Sequence, residues 1–148
     1  MTTDLNNAVF TAAELDYLGT QPLGRLVTLG RDGAPQVRPV GFRVSAGVIH
    51  IGGYDLAATQ KFRNIDRDPR AAFLVDDLAS VEPWQVRGVE VRGTGQAIPA
   101  TDGVEAVIRI HPWRIITWGL DNGGRPSARR IDPAAINRSR PRAWLSGT

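Results

Sequence analysis

Thr59, Gln60 and Lys61, followed by Asn64, bring a hydroxyl, an amide and an ammonium group to what reads as the start of a short helix. A helix start leaves backbone N–H groups unpaired and carries the positive end of the helix dipole, so a phosphate can be held there. Lys61 is the only lysine in the chain, against seventeen arginines. The cluster lies within Gly52–Asp77, which reads as a strand end, a loop, a helix, and then Asp68-Pro69-Arg70 opening a further strand. The same residues admit a plainer reading. Lys61 is then a solvated helix-surface residue, and Asn64 caps or satisfies backbone.

No conventional catalytic set accompanies this cluster. The chain has no GxSxG, no HExxH and no close carboxylate pair in an apolar setting, and Asp76-Asp77 reads as a turn. With no cysteine there is neither a disulfide framework nor a thiolate site. The two histidines are far apart: His50 reads as an ordinary strand residue, and His111 beside Pro112 is an acid–base candidate. No metal centre is expected. Such a chain suits a redox protein whose cofactor carries the chemistry, and it suits a binding protein without catalysis.

With 148 residues, 42% hydrophobic and 22% charged, the chain fits one soluble domain over 1–148. No apolar run approaches the ~18 residues of a membrane span, and no secretory signal is visible, so a cytoplasmic protein is expected. Residues 109–148 hold eight arginines against Asp121 and Asp132, which makes 121–148 a basic C-terminal segment. Its arginines are not interleaved with aromatics in a nucleic-acid-binding pattern, and neither nucleic acid nor membrane is expected as a partner. The excess of arginine over lysine, with abundant alanine and glycine, suggests a GC-rich bacterial source.

The elements that must position the cluster are mostly strands. Thr11 as N-cap, Glu14 three residues later and the pair Phe10 and Leu15 predict a helix stopped near Gly19 and Pro22. From Gly24 the period changes to two up to Asp32-Gly33, a hairpin signal. Strands over 36–44 and 48–52 then complete an expected three-stranded meander. A helix is predicted over 56–67, and strands over 71–75, 86–97 and 107–120, the last broken at His111-Pro112. Gly88, Gly93 and Gly95 within one strand mark bulges, bends or close approaches. Asp102–Ala106 is expected to form one helical turn, and Trp144 to anchor the tail. The implied fold is mainly β, a small β-barrel with flanking helices, whose ligands sit on the wall or between two copies.

The order strand–turn–strand–turn–strand, then T-Q-K on a helix, then DPRAAFLVD over 68–76, resembles the pyridoxamine 5'-phosphate oxidase-like split β-barrel, an FMN-binding-like fold. Residues 107–121, VIRIHPWRIITWGLD, are similar to the final strand of its actinobacterial branch that uses the deazaflavin coenzyme F420. The resemblance implies that Arg38, Pro39, Val40 and Gly41 lie along the flavin ring, with Gly52 and Gly53 beside it. It implies that Thr59, Gln60 and Lys61 grip the cofactor phosphate, with Asn64 on the same helix. Trp118, with Arg125 or Arg129 after it, corresponds to a segment that reaches into the partner's site of a homodimer. Gln60 stands where the oxidases carry arginine, and their Arg-Leu-His-Asp-Arg signature is here Arg-Pro-Ser-Ala-Arg-Arg. The resemblance therefore implies an F420H2-dependent reductase passing a hydride to an unsaturated small-molecule substrate. The alternatives are an FMN-dependent oxidoreductase of the same fold and a non-catalytic cofactor or tetrapyrrole carrier.

Overall fold

In the computed structural model, residues 2–120 and 125–132 are described. Asp121, Trp144 and the arginines Arg138, Arg140 and Arg142 of the basic tail lie outside the described residues. Two helices, α1 (Thr2–Val9) and α2 (Ala12–Gly19), precede strands β1 (Gly24–Leu29), β2 (Pro35–Val40), β3 (Arg43–Ser45) and β4 (Val48–Ile51). A 3-10 turn over Leu56–Ala58 leads into helix α3 (Gln60–Arg67). Strands β5 (Arg70–Ser80), β6 (Gln85–Ile98), β7 (Val107–Trp118) and β8 (Ser127–Arg130) follow.

The strands form one antiparallel sheet in the order β2-β1-β5-β6-β7-β4-β3, with β8 on β7. Laid flat, the seven strands of that path would span about 29 Å at ~4.8 Å per spacing. Its two ends, β2 and β3, are joined by only Gly41 and Phe42. That linker reaches about 11 Å at most. The sheet must therefore curl until its edges meet, which makes a barrel split between β2 and β3.

Inside are Leu26, Ile49, Ile51, Phe73, Val75, Val89, Val91, Ile108, Ile110 and Ile115, all 1% exposed or less. Phe62 and Ile65 of α3 and Tyr17 and Leu18 of α2 join this core. β7 buries Ile108, Ile110 and Pro112, then Ile115 and Thr117. The phase changes because Arg92 pairs with Arg114 while Gly93 pairs with Pro112, leaving Trp113 as the extra residue of a bulge. Pro112 thus re-phases the last long strand where a break was expected. A Cβ on Gly95 would lie 2.7 Å from Ile65, and one on Gly88 would lie 2.6 Å from the Trp118 ring. These two glycines mark close approaches, and Gly93 marks the bulge.

Several expectations are corrected. The strand expected over 36–44 breaks at Gly41–Phe42, and β4 pairs with β7 instead of with β2, so no three-stranded meander forms. The helix expected over 56–67 starts at Gln60, because Thr59 is extended at ψ 155°. Asp76 and Asp77 lie within β5, not in a turn. In place of one helical turn near Asp102, Thr101 and Val104 form an isolated bridge. Helix α1 and strand β8 were not foreseen.

The capping box of α2 forms as read, with Glu14 N donating to Thr11 Oγ1 at 3.1 Å and Thr11 N to Glu14 Oε1 at 2.9 Å. Arg129 of β8 adds two donors to the same carboxylate and one to the Val9 carbonyl. Glu14 is only 2% exposed, so this guanidinium compensates a buried charge. A second tie joins α2 to the hairpin. Arg87 grips Asp77 at 3.0 and 2.6 Å, and the Tyr17 hydroxyl donates to Asp77 at 2.9 Å. The hydrogen bond from Arg87 holds the Asp77 carboxyl below its usual range, whereas burial, then the Asp77 contact, pushes the Tyr17 hydroxyl up.

Two measurements check these ties. Arg129→Ala leaves the Glu14 charge buried and alone, and should cost about 3–5 kcal/mol in urea unfolding. Arg92→Ala, at the exposed pair with Glu90, should cost less than about 1 kcal/mol. Equal small losses would mean that Arg129 does not hold α2. Because the Asp77 pKa is lowered on folding, its contribution is present above the ordinary aspartate value and is lost as pH falls through the folded value. Asp77→Asn should thus be less stable than the native chain at pH 7, with the gap closing toward pH 3. A gap that stays constant over that range would contradict the assignment.

Candidate functional site

The start of α3 is shaped by its cap. Thr59 Oγ1 accepts from Phe62 N at 3.4 Å and donates to the Leu56 carbonyl at 2.6 Å. The ladder then begins with Arg63 N to Thr59 O at 3.3 Å. The N–H groups of Gln60 and Lys61 are thereby left as the open donors of the first turn. Lys61 is half-buried and has no ion pair or hydrogen bond among the described residues.

Asn64 is fully buried, and its amide is saturated. Nδ2 donates to Thr28 Oγ1 at 3.0 Å and to Gln36 Oε1 at 2.9 Å. Oδ1 accepts from Gln60 Nε2 at 2.8 Å and from Arg67 Nη2 at 3.2 Å. With both donors and both lone pairs spent, Asn64 offers nothing directly to a ligand. It fixes Gln60, Gln36 and Arg67 relative to β1 and β2. Those three residues, with Arg31, Asp32 and Arg63, line a polar groove of about 600 Å³. Arg63 is tethered to the Ala58 carbonyl at 2.7 Å and to Gln60 Oε1 at 3.0 Å, and Arg67 to the Leu29 carbonyl at 2.9 Å.

Gly41, Gly52 and Gly53 meet in a second groove of about 780 Å³, together with Phe42, Arg43, His50 and Arg109. An adjoining hollow of about 560 Å³ is lined by Gly53, Tyr54, Leu56 and Ala106. Strand β2 links the two grooves, with Gln36 in the first and Gly41 in the second, a run of about 17 Å. Pro35 to Pro39 are exposed along this edge strand, and Val40 alone is buried. Arg38 lies midway, with Nη1 on the Val37 carbonyl at 2.9 Å.

One copy does not bring every expected residue together. Trp118 stacks on Gly88 and lines neither groove. It is nine residues from Arg109 along β7, roughly 30 Å. Arg129 is committed to Glu14, and Arg125 is exposed. Reading the sequence missed Arg43 and Arg109 and took His50 as an ordinary strand residue. The register puts Arg43 opposite His50 and His50 opposite Arg109. Strand alternation alone could have shown that all three point outward, but not that they meet. No group of three or more His, Cys, Asp or Glu suited to a metal occurs among the described residues, and no helix there is long and apolar enough to cross a membrane.

Residues 10–145 match the family described as pyridoxamine 5'-phosphate oxidase. A 5a,11a-dehydrotetracycline/5a,11a-dehydrooxytetracycline reductase of Streptomyces rimosus is 44% identical over 121 residues, 76% of this chain and 84% of that protein. Among solved structures, a conserved hypothetical protein from Mycobacterium tuberculosis superposes with a TM-score of 0.63 at 24% identity, over 85% of this chain and 95% of its own. An F420 reductase does so with a TM-score of 0.53 at 24% identity, over 68% and 94%. These two structural likenesses show the fold.

The buried amide hub is open to a direct test. Asn64→Ala strands the groups around Thr28, Gln36 and Gln60, and should cost about 2–4 kcal/mol in urea unfolding. A loss below about 0.5 kcal/mol, the range of ordinary surface changes, would remove Asn64 from its organising role.

Proposed function

This chain belongs to the pyridoxamine 5'-phosphate oxidase family of oxidoreductases, and we propose that within it the protein is an F420H2-dependent reductase. When bound, the reduced deazaflavin supplies a hydride to an unsaturated organic substrate. The observation that carries the reading is the exposed edge strand β2, which joins an arginine-rich groove beside α3, lined by Gln60 but not by Thr59 or Lys61, to a glycine-lined groove at the other end. An elongated cofactor with a phosphate at one end and a flat ring at the other matches that layout.

Lys61, which has no partner among the described residues, and the open N–H groups of Gln60 and Lys61 would hold the phosphate, and Thr59 shapes the turn that presents them. Asn64 is assigned a positioning role, through Gln60 and Arg67. Arg38, Pro39, Val40 and Gly41 would support the ring along β2, with Gly52 and Gly53 leaving space beside it. Gln60 favours the deazaflavin over FMN. FMN ends in a phosphate monoester of about −1.5 to −2 charge. The phosphodiester of coenzyme F420 carries about one unit less and suits a pocket lacking the oxidase arginine. The likeness to the Streptomyces reductase supports reduction of an unsaturated ring system.

The reading includes a homodimer. Val37 is 52% exposed and Trp113 is 42% exposed on the barrel wall, which a second copy would cover. Its Trp118 would then come to the groove that one copy leaves without it.

Titration of the purified protein with coenzyme F420 and with FMN tests the reading. Deazaflavin should bind more tightly, and Lys61→Ala should weaken it at least about tenfold without changing the melting temperature. Tight FMN binding with no detectable deazaflavin binding would favour the FMN oxidoreductase. Bound deazaflavin with no turnover of enones, quinones, biliverdin or nitro compounds would favour the carrier. Native mass spectrometry should show a dimer.

A further inference from the structure

Across the outer face of the barrel, Arg43, His50 and Arg109 stand directly opposite one another on three adjacent strands. Two guanidinium groups thus flank one imidazole, and a sheet ordinarily neutralises positive charge gathered in such a row. Arg43 and Arg109 form no ion pair among the described residues. Glu105 is the one carboxylate lining the same groove, and it is not within ion-pair distance of either. Two buried nitrogen atoms in this row, Arg109 Nε and His50 Nδ1, have no hydrogen-bond partner among the described residues. Leaving such atoms unpaired is unfavourable, so the row gains wherever a ligand supplies partners.

We propose that Arg43, His50 and Arg109 form an oxyanion subsite, which receives a carboxylate or enolate oxygen of the organic substrate. The proposal rests on the reductase reading for its role, since it names the polar end of that enzyme's substrate. Gly41, Gly52 and Gly53 line the same groove, so a substrate anchored by the row lies beside the stretch assigned to the cofactor ring. Two guanidinium groups supply the charge, and Arg109 Nε–H supplies a buried donor.

His50 couples the site to protons. The Ser45 carbonyl lies 3.3 Å from Nε2 and can only accept, so Nε2 carries the hydrogen and Nδ1 holds a lone pair. Burial, then Arg43, with Arg109 and His111 adding to them, keeps the imidazole below its usual pKa, against the opposing pull of Ser45. The titratable and charged groups around it are Arg43 on β3, Arg109 and His111 on β7, and Glu105 on the loop before β7. Gln96 continues the row on β6 as a neutral group, hydrogen-bonded to His111. An anion arriving among these cations offsets the repulsion and favours proton uptake at Nδ1.

Benzoate and its neutral isostere benzamide serve as probes of the intact chain, read by the imidazole nitrogen resonances of His50. Benzoate should shift Nδ1 saturably toward the protonated form and bind more tightly at pH 6 than at pH 8, while benzamide does neither. Arg109→Gln and Arg43→Gln, shown folded by an unchanged melting temperature, should each weaken benzoate at least about fivefold. Equal effects of benzoate and benzamide, an unmoved His50, or unchanged affinity in a folded Arg109→Gln would each overturn the subsite. So would a groove already filled by a second copy, which would give no saturable shift. Deazaflavin binding without benzoate binding removes the subsite and leaves the reductase. Benzoate binding without deazaflavin binding removes the reductase and leaves an anion site.

Discussion

Two residues, Gly41 and Phe42, tie the opposite edges of the sheet together, and most of the molecule's layout follows from that short tether. Because β2 and β3 end the strand order yet adjoin in sequence, closure is imposed by chain length before any side chain is considered. Closure turns one pleated face inward, where Ile49, Phe73, Val91 and Ile110 are sealed from water. It turns the other outward, so that Arg43, His50 and Arg109 share a surface with the glycines at the split. The partial closure also leaves β2 bonded to β1 on one side only. Pro35 and Pro39 limit further pairing along it, so this edge stays available without inviting an added strand.

Closure alone does not fix where α3 lies, and the buried amide of Asn64 does that. Its four hydrogen bonds reach β1, β2 and two places on its own helix, so the first groove is tied directly to the start of β2. A fully satisfied polar hub tolerates little displacement, since any shift strands a buried donor or acceptor. The helix start that presents Lys61 is therefore referenced to the strand leading toward the glycine groove.

What could be read from the sequence follows from how far apart the interacting residues are. The box of Thr11 and Glu14 and the Asp32-Gly33 hairpin are settled within a few residues, and both form; the cap at Thr59 is as local, yet it falls inside the span expected as helix. Pro112 signalled a disturbance in the last long strand, but only the partner strand shows that it re-phases burial through a bulge. The pairing of Ile49 with Ile110 joins distant segments, and no local period announces it. The candidate site divides in the same way. Thr59, Gln60 and Lys61 were legible because a helix start is local. The role of Asn64 depends on Thr28 and Gln36, and the basic row depends on three strands, so neither could be assembled from spacing.

The chain's preference for arginine has a physical counterpart in the first groove. A guanidinium has five donors and can be tethered by one or two while still presenting the others. Arg63 and Arg67 are held in this way by the carbonyls of Ala58 and Leu29. An ammonium in either place would keep its charge but not the forked geometry. Lys61 has no partner among the described residues and does not line this groove. Oriented donors fix the direction from which an anion approaches. A groove of tethered guanidinium groups selects an anion by position more than by total charge.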